Sequence, residues 1–396
     1  MPVIELNFQA NTVLCLLEEA GFPAYLVGGC VRDALLGEAP QDWDIATGAT
    51  PEQVTQACKT YRVIGTGLRH GTVTVLVGHC PVEVTTFRLD GVYADHRRPQ
   101  SVAFTKDLTA DLARRDFTVN AMAYAPQTGI IDPFGGAADL AAGLLRCVGE
   151  PALRFSEDAL RILRCLRFAG TLGFAIEATT AAKVWELHES LRYVSVERIA
   201  AEWRKLLCGR AAKKILLEYR EVFFFLMPQL RAAYTPERWE NACAALARLE
   251  AQPVLRMAAL LQGLENSDAK ALLNDLRQSK KEITHVLQLL DHARRFSSGD
   301  AHGTRAQLAR MLGEIGLERS REVLALRGAP SSLFAQLLAC AGQGVCTSLA
   351  QLAVDGDDLT RLGLCGPAVG ATLRRLLEEV LEGVTPNEKE ALLERV

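Results

Sequence analysis

No run of apolar residues among these 396 positions approaches the ~20 that a membrane-spanning helix needs. The amino-terminal stretch lacks the basic residues of a secretion signal and carries Glu5, Glu18 and Glu19 instead. The 11 cysteines form no C-x-x-C pair and no Cys/His group at zinc-ligand spacing, which excludes a disulfide framework and a structural zinc site. These absences predict a soluble cytoplasmic protein with no membrane partner and with reduced thiols. Repeats of fixed period are also missing, so a solenoid is excluded. Positive charge is scarce overall. The 44 Lys and Arg face 47 Asp and Glu, and a net charge of −3 argues against a surface that binds nucleic acid everywhere.

The charge that is present is unevenly placed. Residues 1 to 150 hold 11 basic against 17 acidic side chains, whereas residues 151 to 220 hold 13 against 8. An acidic lobe followed by a basic segment suits an enzyme that receives a polyanion beside bound cations. With 49% hydrophobic residues the chain can build cores for two or three domains.

Helical spacing at Val13, Leu16 and Leu17 stops at Gly21-Phe22-Pro23. Ala24 to Val27, Asp42 to Ala46, Thr72 to Val77, Val82 to Phe87 and Val102 to Phe104 read as strands, with turns at Gly65-Thr66-Gly67 and His70-Gly71. Thr50-Pro51-Glu52 starts a helix by its cap and first-turn proline. After Asp132-Pro133-Phe134-Gly135-Gly136 strand signals fade and amphipathic helices follow, as at Val196, Ile199, Trp203 and Leu206. The expected class is α+β, a small β-sheet head with helices followed by an all-helical remainder. Gly209-Arg210, Ser297-Ser298-Gly299 and Gly328-Ala329-Pro330 divide that remainder.

Chemistry concentrates in Leu26-Val27-Gly28-Gly29-Cys30-Val31-Arg32-Asp33 and the nearby Asp42-Trp43-Asp44. The glycines let backbone N–H groups approach triphosphate oxygens, and Arg32 on the following helix can pair with phosphate bidentately. Asp42 and Asp44, two apart on a strand, project to one side, and adjacent carboxylates repel unless a divalent cation lies between them. A solvated surface turn is the alternative for the two acids alone, but it needs neither the glycines nor the arginine. Glu83, between Val82 and Val84 on a neighbouring strand, offers a third carboxylate for two-metal nucleotidyl transfer. In Ala113 to Asn120, Arg115 can reach triphosphate while Asp116 and Asn120 can bond ribose hydroxyls; a helix cap is the other reading.

A helix capped by Ser156 would set Asp158, Arg161, Arg164 and Phe168 on one stripe. An Asp accepting from an exocyclic amino group, beside an Arg donating to a ring nitrogen, suits cytosine and adenine and rejects uracil and guanine. The expected substrates are therefore CTP and ATP. An i,i+3 salt bridge is the purely structural alternative.

In this order the motifs resemble the class II tRNA nucleotidyltransferase and bacterial poly(A) polymerase family, within the DNA polymerase beta-like superfamily. Gly28 to Asp33 with Asp42 and Asp44 looks like its first motif, Arg114-Arg115-Asp116-Phe117-Thr118 the second, and Asp132 to Gly136 through Asp139-Leu140 the third. Glu157-Asp158 to Arg161 matches the fourth, and Ser195-Val196-Glu197-Arg198 to Lys205-Leu206-Leu207 the fifth. The resemblance implies Mg²⁺ on Asp42 and Asp44, and contacts to CTP or ATP from Gly29, Arg32, Arg115, Asp158, Arg161, Arg164 and Arg167. It implies a nucleotidyltransferase head over 1–140, a base-reading helical neck over 141–210, a body over 211–297 and a tRNA-binding tail over 298–396. The implied activity is untemplated addition of CCA to the 3′ end of tRNA. Phe87 to Pro99 resembles the flexible loop of CCA-adding and A-adding members, which disfavours CC-only addition. Absence of a strongly basic carboxy-terminal extension disfavours poly(A) synthesis, and absence of a His-Asp pair in Leu255 to Gly263 disfavours a second, phosphohydrolase centre. A-adding and poly(A)-adding enzymes, and a silent RNA-binding module, remain the competing readings.

Overall fold

The computed structural model describes residues 4–91, 102–296, 305–342 and 346–396, and it forms two compact units, Met1–Leu226 and Met227–Val396. The first opens with α1 (Phe8–Glu19), where the Asn7 side chain accepts from the Ala10 N–H at 2.7 Å and Val13, Leu14 and Leu17 are buried. Gly21, at φ +83°, turns the chain into the sheet.

That sheet has seven strands in the order β3-β4-β5-β2-β1-β8-β9. They are β1 (Ala24–Val27), β2 (Asp44–Thr47), β3 (Arg62–Gly67), β4 (Thr72–Val77), β5 (Cys80–Thr86), β8 (Ala123–Ala125) and β9 (Gly129–Ile131). A separate hairpin pairs β6 (Arg88–Asp90) with β7 (Val102–Phe104), and two short parallel strands, β10 (Leu144–Leu145) and β11 (Ala175–Ile176), pair apart from the main sheet. Alternation in β4 buries Val73, Val75 and Val77 on one side. Every neighbouring pair in the main sheet is antiparallel except β2 and β5, whose parallel register sets Asp44 opposite Glu83.

Between and after the strands come α2 (Gly29–Leu35), α3 (Pro51–Ala57), α4 (Leu108–Ala113), α5 (Gly136–Ala141), α6 (Pro151–Glu157), α7 (Leu160–Leu172), α8 (Ala178–Leu187) and α9 (Val196–Leu207). The Thr50 capping box with Gln53 starts α3, as its sequence predicts. Gly170 and Gly209 allow the α7 and α9 segments to touch: a Cβ on Gly170 would stand 2.4 Å from Leu206 Cδ1, and one on Gly209 would stand 2.5 Å from the Gly170 carbonyl oxygen.

Among its described residues the second unit is helical throughout, with Trp239, Leu260, Leu289 and Leu324 fully buried. Its helix Lys280–Arg295 begins with a Ser279–Glu282 capping box, and the helical stretch Arg305–Leu326 breaks at Gly316.

Four sequence expectations change. First, β2 begins at Asp44, so Asp42 occupies the bend before it rather than the strand. Second, Gly65-Thr66-Gly67 belongs to β3, whose register shifts between Ile64 and Gly67 where a turn was expected. Third, the apolar run after Asn120, whose composition reads as helix-like, forms the short strand β8 instead. Fourth, Ser156 caps nothing: it sits inside α6, with its hydroxyl donating to the Leu153 carbonyl. The helix ends at Asp158, which has extended backbone (φ −141°, ψ 103°), and α7 starts afresh at Leu160. Most of the Phe87 to Pro99 loop and the Ser297 to Gly299 break lie outside the described residues.

Candidate active site

One cavity of about 560 Å³ in the first unit is lined by Gly28, Gly29, Arg32, Asp42, Asp44, Arg115, Asp116, Asn120, Asp158, Arg161, Arg164 and Arg167. Those are all the sequence-predicted site residues but one. Glu83 stays outside the lining, exposed on β5 in register with Asp44. Arg114, Leu160, Phe168, Arg198 and Lys205 complete the wall. Eight basic side chains thus face four acidic ones, a balance that favours a polyanion.

The glycine pair fixes the approach of β1 to this wall. Gly28 adopts φ +78°, and a Cβ there would stand 3.1 Å from Arg115 Nη1 and 4.0 Å from Asp44 Oδ2. Any larger residue would be strained in backbone and would press on the Arg115 guanidinium. Asp44 is pushed up to about 6 by burial first and by the Glu83 charge next, with Arg115 opposing and Asp42 adding to the rise. A hard divalent cation would relieve that crowding. Among the described residues no group of three or more His, Cys, Asp or Glu stands at metal-binding spacing. Two carboxylates nevertheless fit Mg²⁺, which commonly takes its remaining ligands from water and substrate phosphates. Cys30, inside the same motif, donates to the Val27 carbonyl, and burial pushes its thiol up to about 11, so it is no nucleophile.

Asp111, which sequence reasoning passed over, aligns the second motif from α4. Its Oδ1 accepts from Arg114 Nη2 at 2.8 Å, and its Oδ2 accepts from Arg115 Nη2 at 3.4 Å. Arg115 Nε is buried with no hydrogen-bond partner, which leaves it able to donate to a phosphate oxygen. Asp116 and Asn120 do meet, as part of a longer network. Asn120 Oδ1 accepts from Arg32 Nη1 at 2.6 Å, Asn120 Nδ2 donates to Asp116 Oδ1 at 3.2 Å, and Asp116 Oδ2 accepts from Arg164 Nε and Nη2 at 2.8 and 2.6 Å. Burial would raise the Asp116 carboxyl, but the Arg164 charge and hydrogen bonds, helped by Asn120 and Arg161, outweigh it and hold the group at about 2. The third motif is the footing beneath Asn120. Asp132 caps α5 through the N–H groups of Gly136 and Ala137, and a Cβ on Gly136 would fall 2.2 Å from the Thr118 carbonyl oxygen.

From the helical side, α9 presents Arg198, Glu202 and Lys205 at helical spacing. Arg198 grips Asp158 with two hydrogen bonds, Nη1 to Oδ1 at 3.2 Å and Nη2 to Oδ2 at 2.7 Å. Arg161 does not pair with Asp158 as an i,i+3 stripe would require. It donates instead to Glu157 Oε2 at 2.5 Å and to the carbonyls of Arg154 and Arg114. The helix break at Asp158 is the reason, because it removes that carboxylate from the α7 face. Glu202, also without a role in the sequence reading, accepts from Arg167 Nε at 2.6 Å and lies 3.7 Å from Arg164 Nη1. No local spacing signalled it, because both partners lie on α7, a different helix.

Family comparisons divide the chain into three matches: the poly A polymerase head domain over residues 24–146, the RNA and SrmB-binding site of polymerase A over 173–234, and tRNA nucleotidyltransferase domain 2 over 254–396. The CCA-adding enzyme of Limosilactobacillus fermentum is 36% identical over 97% of this chain and 95% of its own. That of Lacticaseibacillus paracasei is 37% identical over 97% and 94% respectively. The crystal structure of the Bacillus stearothermophilus CCA-adding enzyme in complex with CTP superposes with a TM-score of 0.75 at 34% identity, covering 98% of this chain and 97% of that one. With motifs, fold and likeness agreeing along nearly its whole length, the chain belongs to the CCA-adding enzyme family of tRNA nucleotidyltransferases.

Proposed function

We infer that this protein adds CCA to the 3′ end of tRNA from CTP and ATP, without a nucleic-acid template, in the cytoplasm. The observation that carries the reading is a single cavity gathering the glycine pair, Asp42 and Asp44, and the arginines at 32, 115, 161, 164 and 167. In this reading the RNA 3′-hydroxyl oxygen forms a bond to the α-phosphorus, the bond from that phosphorus to the oxygen bridging to the β-phosphate breaks, pyrophosphate leaves with that electron pair, and the hydroxyl proton passes to solvent. Mg²⁺ held by Asp42 and Asp44 would supply Lewis-acid polarisation of the phosphoryl oxygens and a lower pKa for the attacking hydroxyl. Arg32 and Arg115 bind the triphosphate, Gly28 and Gly29 let the backbone approach it, and Asp116 with Asn120 orients the ribose. Glu83 acts on Asp44 from outside the cavity, which supports a supporting rather than a direct role.

Asp158 and Arg161 read the base edge by the acceptor and donor pattern that cytosine and adenine share. Because Arg198 holds Asp158 and Glu157 holds Arg161, an incoming base must displace or share those partners. Purified protein incubated with a tRNA transcript lacking its 3′ end and one labelled nucleotide at a time tests the reading. Incorporation of C, then C, then A is expected, and incorporation of neither CTP nor ATP overturns it. Action only on tRNA already ending in CC would mark A addition, and long ATP-dependent extension of unstructured RNA would mark poly(A) synthesis.

A further inference from the structure

Three guanidinium groups converge on one aromatic ring. The Phe168 centroid lies 3.4 Å from the guanidinium carbon of Arg167, 5.2 Å from that of Arg32 and 5.3 Å from that of Arg164. Arg32 comes from α2 beside the glycine pair, and the other two come from α7 itself. The ring is only 6% exposed, lines the cavity, and meets Phe117 edge-on at 5.8 Å and 77°. Phe117 is itself wholly buried, so the ring is braced from behind.

Like charges gathered this closely repel. Acids answer part of that repulsion: Asp33 takes Arg32, Asp116 takes Arg164, and Glu202 is shared between Arg164 and Arg167. The face of a phenyl ring carries the negative end of its quadrupole, so it attracts a guanidinium without occupying any of its N–H donors. An aliphatic side chain would pack there without that attraction.

We propose that Phe168 is a positioning residue whose ring gathers Arg32, Arg164 and Arg167 into one receptor for the triphosphate before the nucleotide arrives. The proposal rests on the nucleotide-binding reading above. It makes the ring set affinity for CTP and ATP alike, while the reacting atoms and the choice between bases are left to other groups.

The test varies the quadrupole at constant shape, with mono-, di- and trifluorinated phenylalanine in place of Phe168 in the full-length protein. Phe168→Leu serves as the aliphatic control. Calorimetry with inorganic tripolyphosphate, in the absence of metal, should show affinity falling with each fluorine, by about three- to tenfold over the series, and by a similar factor for the Leu variant. In the incorporation assay KM for CTP and for ATP should rise together by that factor, with kcat within about twofold of the parent. Tripolyphosphate affinity that ignores fluorination overturns the proposal, and so does a rise in KM for one nucleotide only. If the parent protein incorporates neither nucleotide, the functional reading fails, and the calorimetric series still decides the role of the ring.

Discussion

A carboxyl held near pH 6 by burial and by two neighbouring acids opposes folding until a cation neutralises it. The Asp44 group has its ordinary value near 3.8 in the unfolded chain and about 6 in the folded one. The unfolded state therefore sheds the proton first, and stability falls as pH rises from about 4 to about 6 and stays lost above. Asp44→Asn is expected to abolish nucleotide incorporation while raising metal-free stability at pH 7 by about 1–3 kcal/mol, read as a higher melting temperature. A melting temperature that falls would show the charge to be stabilising. Asp116 works in the opposite sense. Its folded value of about 2 lies below its ordinary 3.8, so it contributes stability above about pH 4 that is lost as pH falls toward 2. Asp116→Asn should flatten that acid limb in melts recorded between pH 5 and 2. An unchanged limb would place the responsible carboxylate elsewhere.

At the scale of elements, the site depends on close approaches that glycines permit. An alanine at Gly170 would put a methyl 2.4 Å from Leu206 and force α7 from α9, and with it Arg164 and Arg167 from Glu202. Gly170→Ala should destabilise the first unit by about 1–3 kcal/mol and raise KM for both nucleotides, measured by thermal melting and steady-state incorporation. Melting and KM both at parental values would mean the helices do not need that contact.

The same elements show what the sequence made legible. Strands rich in β-branched residues, such as Thr72 to Val77, announced themselves by alternation, and Thr50-Pro51 announced a helix. Ser156-Glu157-Asp158 imitated a helix start because a hydroxyl before acids is what a cap looks like. Pro151 at the first helical position, after Gly149, signalled the start of α6, and the helix that carries Arg161 and Arg164 starts only at Leu160, whose N–H donates to Asp158 Oδ1 at 3.1 Å. The three-residue strands β8 and β9 are too short to show a period, and they owe their existence to pairing with β1 and with each other. Cavity residues were found because glycines, paired acids and arginines have few structural uses together. Glu202 escaped because its partners on α7 became visible only once α7 and α9 were placed, whereas Asp111 stood three and four residues before Arg114 and Arg115 and could have been read from that spacing.

Over the molecule as a whole, five of the 13 basic side chains in residues 151 to 220, Arg161, Arg164, Arg167, Arg198 and Lys205, line the cavity, and they outnumber the one acid of that segment in the lining, Asp158. Affinity for tRNA should therefore fall at least ~10-fold between about 50 and 200 mM salt, as released counterions are replaced. A fluorescence titration checks this, and a flat salt response would point to recognition by neutral contacts. The chain of contacts from Asp33 through Arg32, Asn120, Asp116 and Arg164 to Glu202 and Arg167 also constrains descent. Each member answers the charge or donor of the next, and removing one leaves its neighbour short of a partner. Natural variation along this string should come as matched pairs, an acid lost together with its arginine, so that the ancestry of the pocket is written in double substitutions rather than single ones.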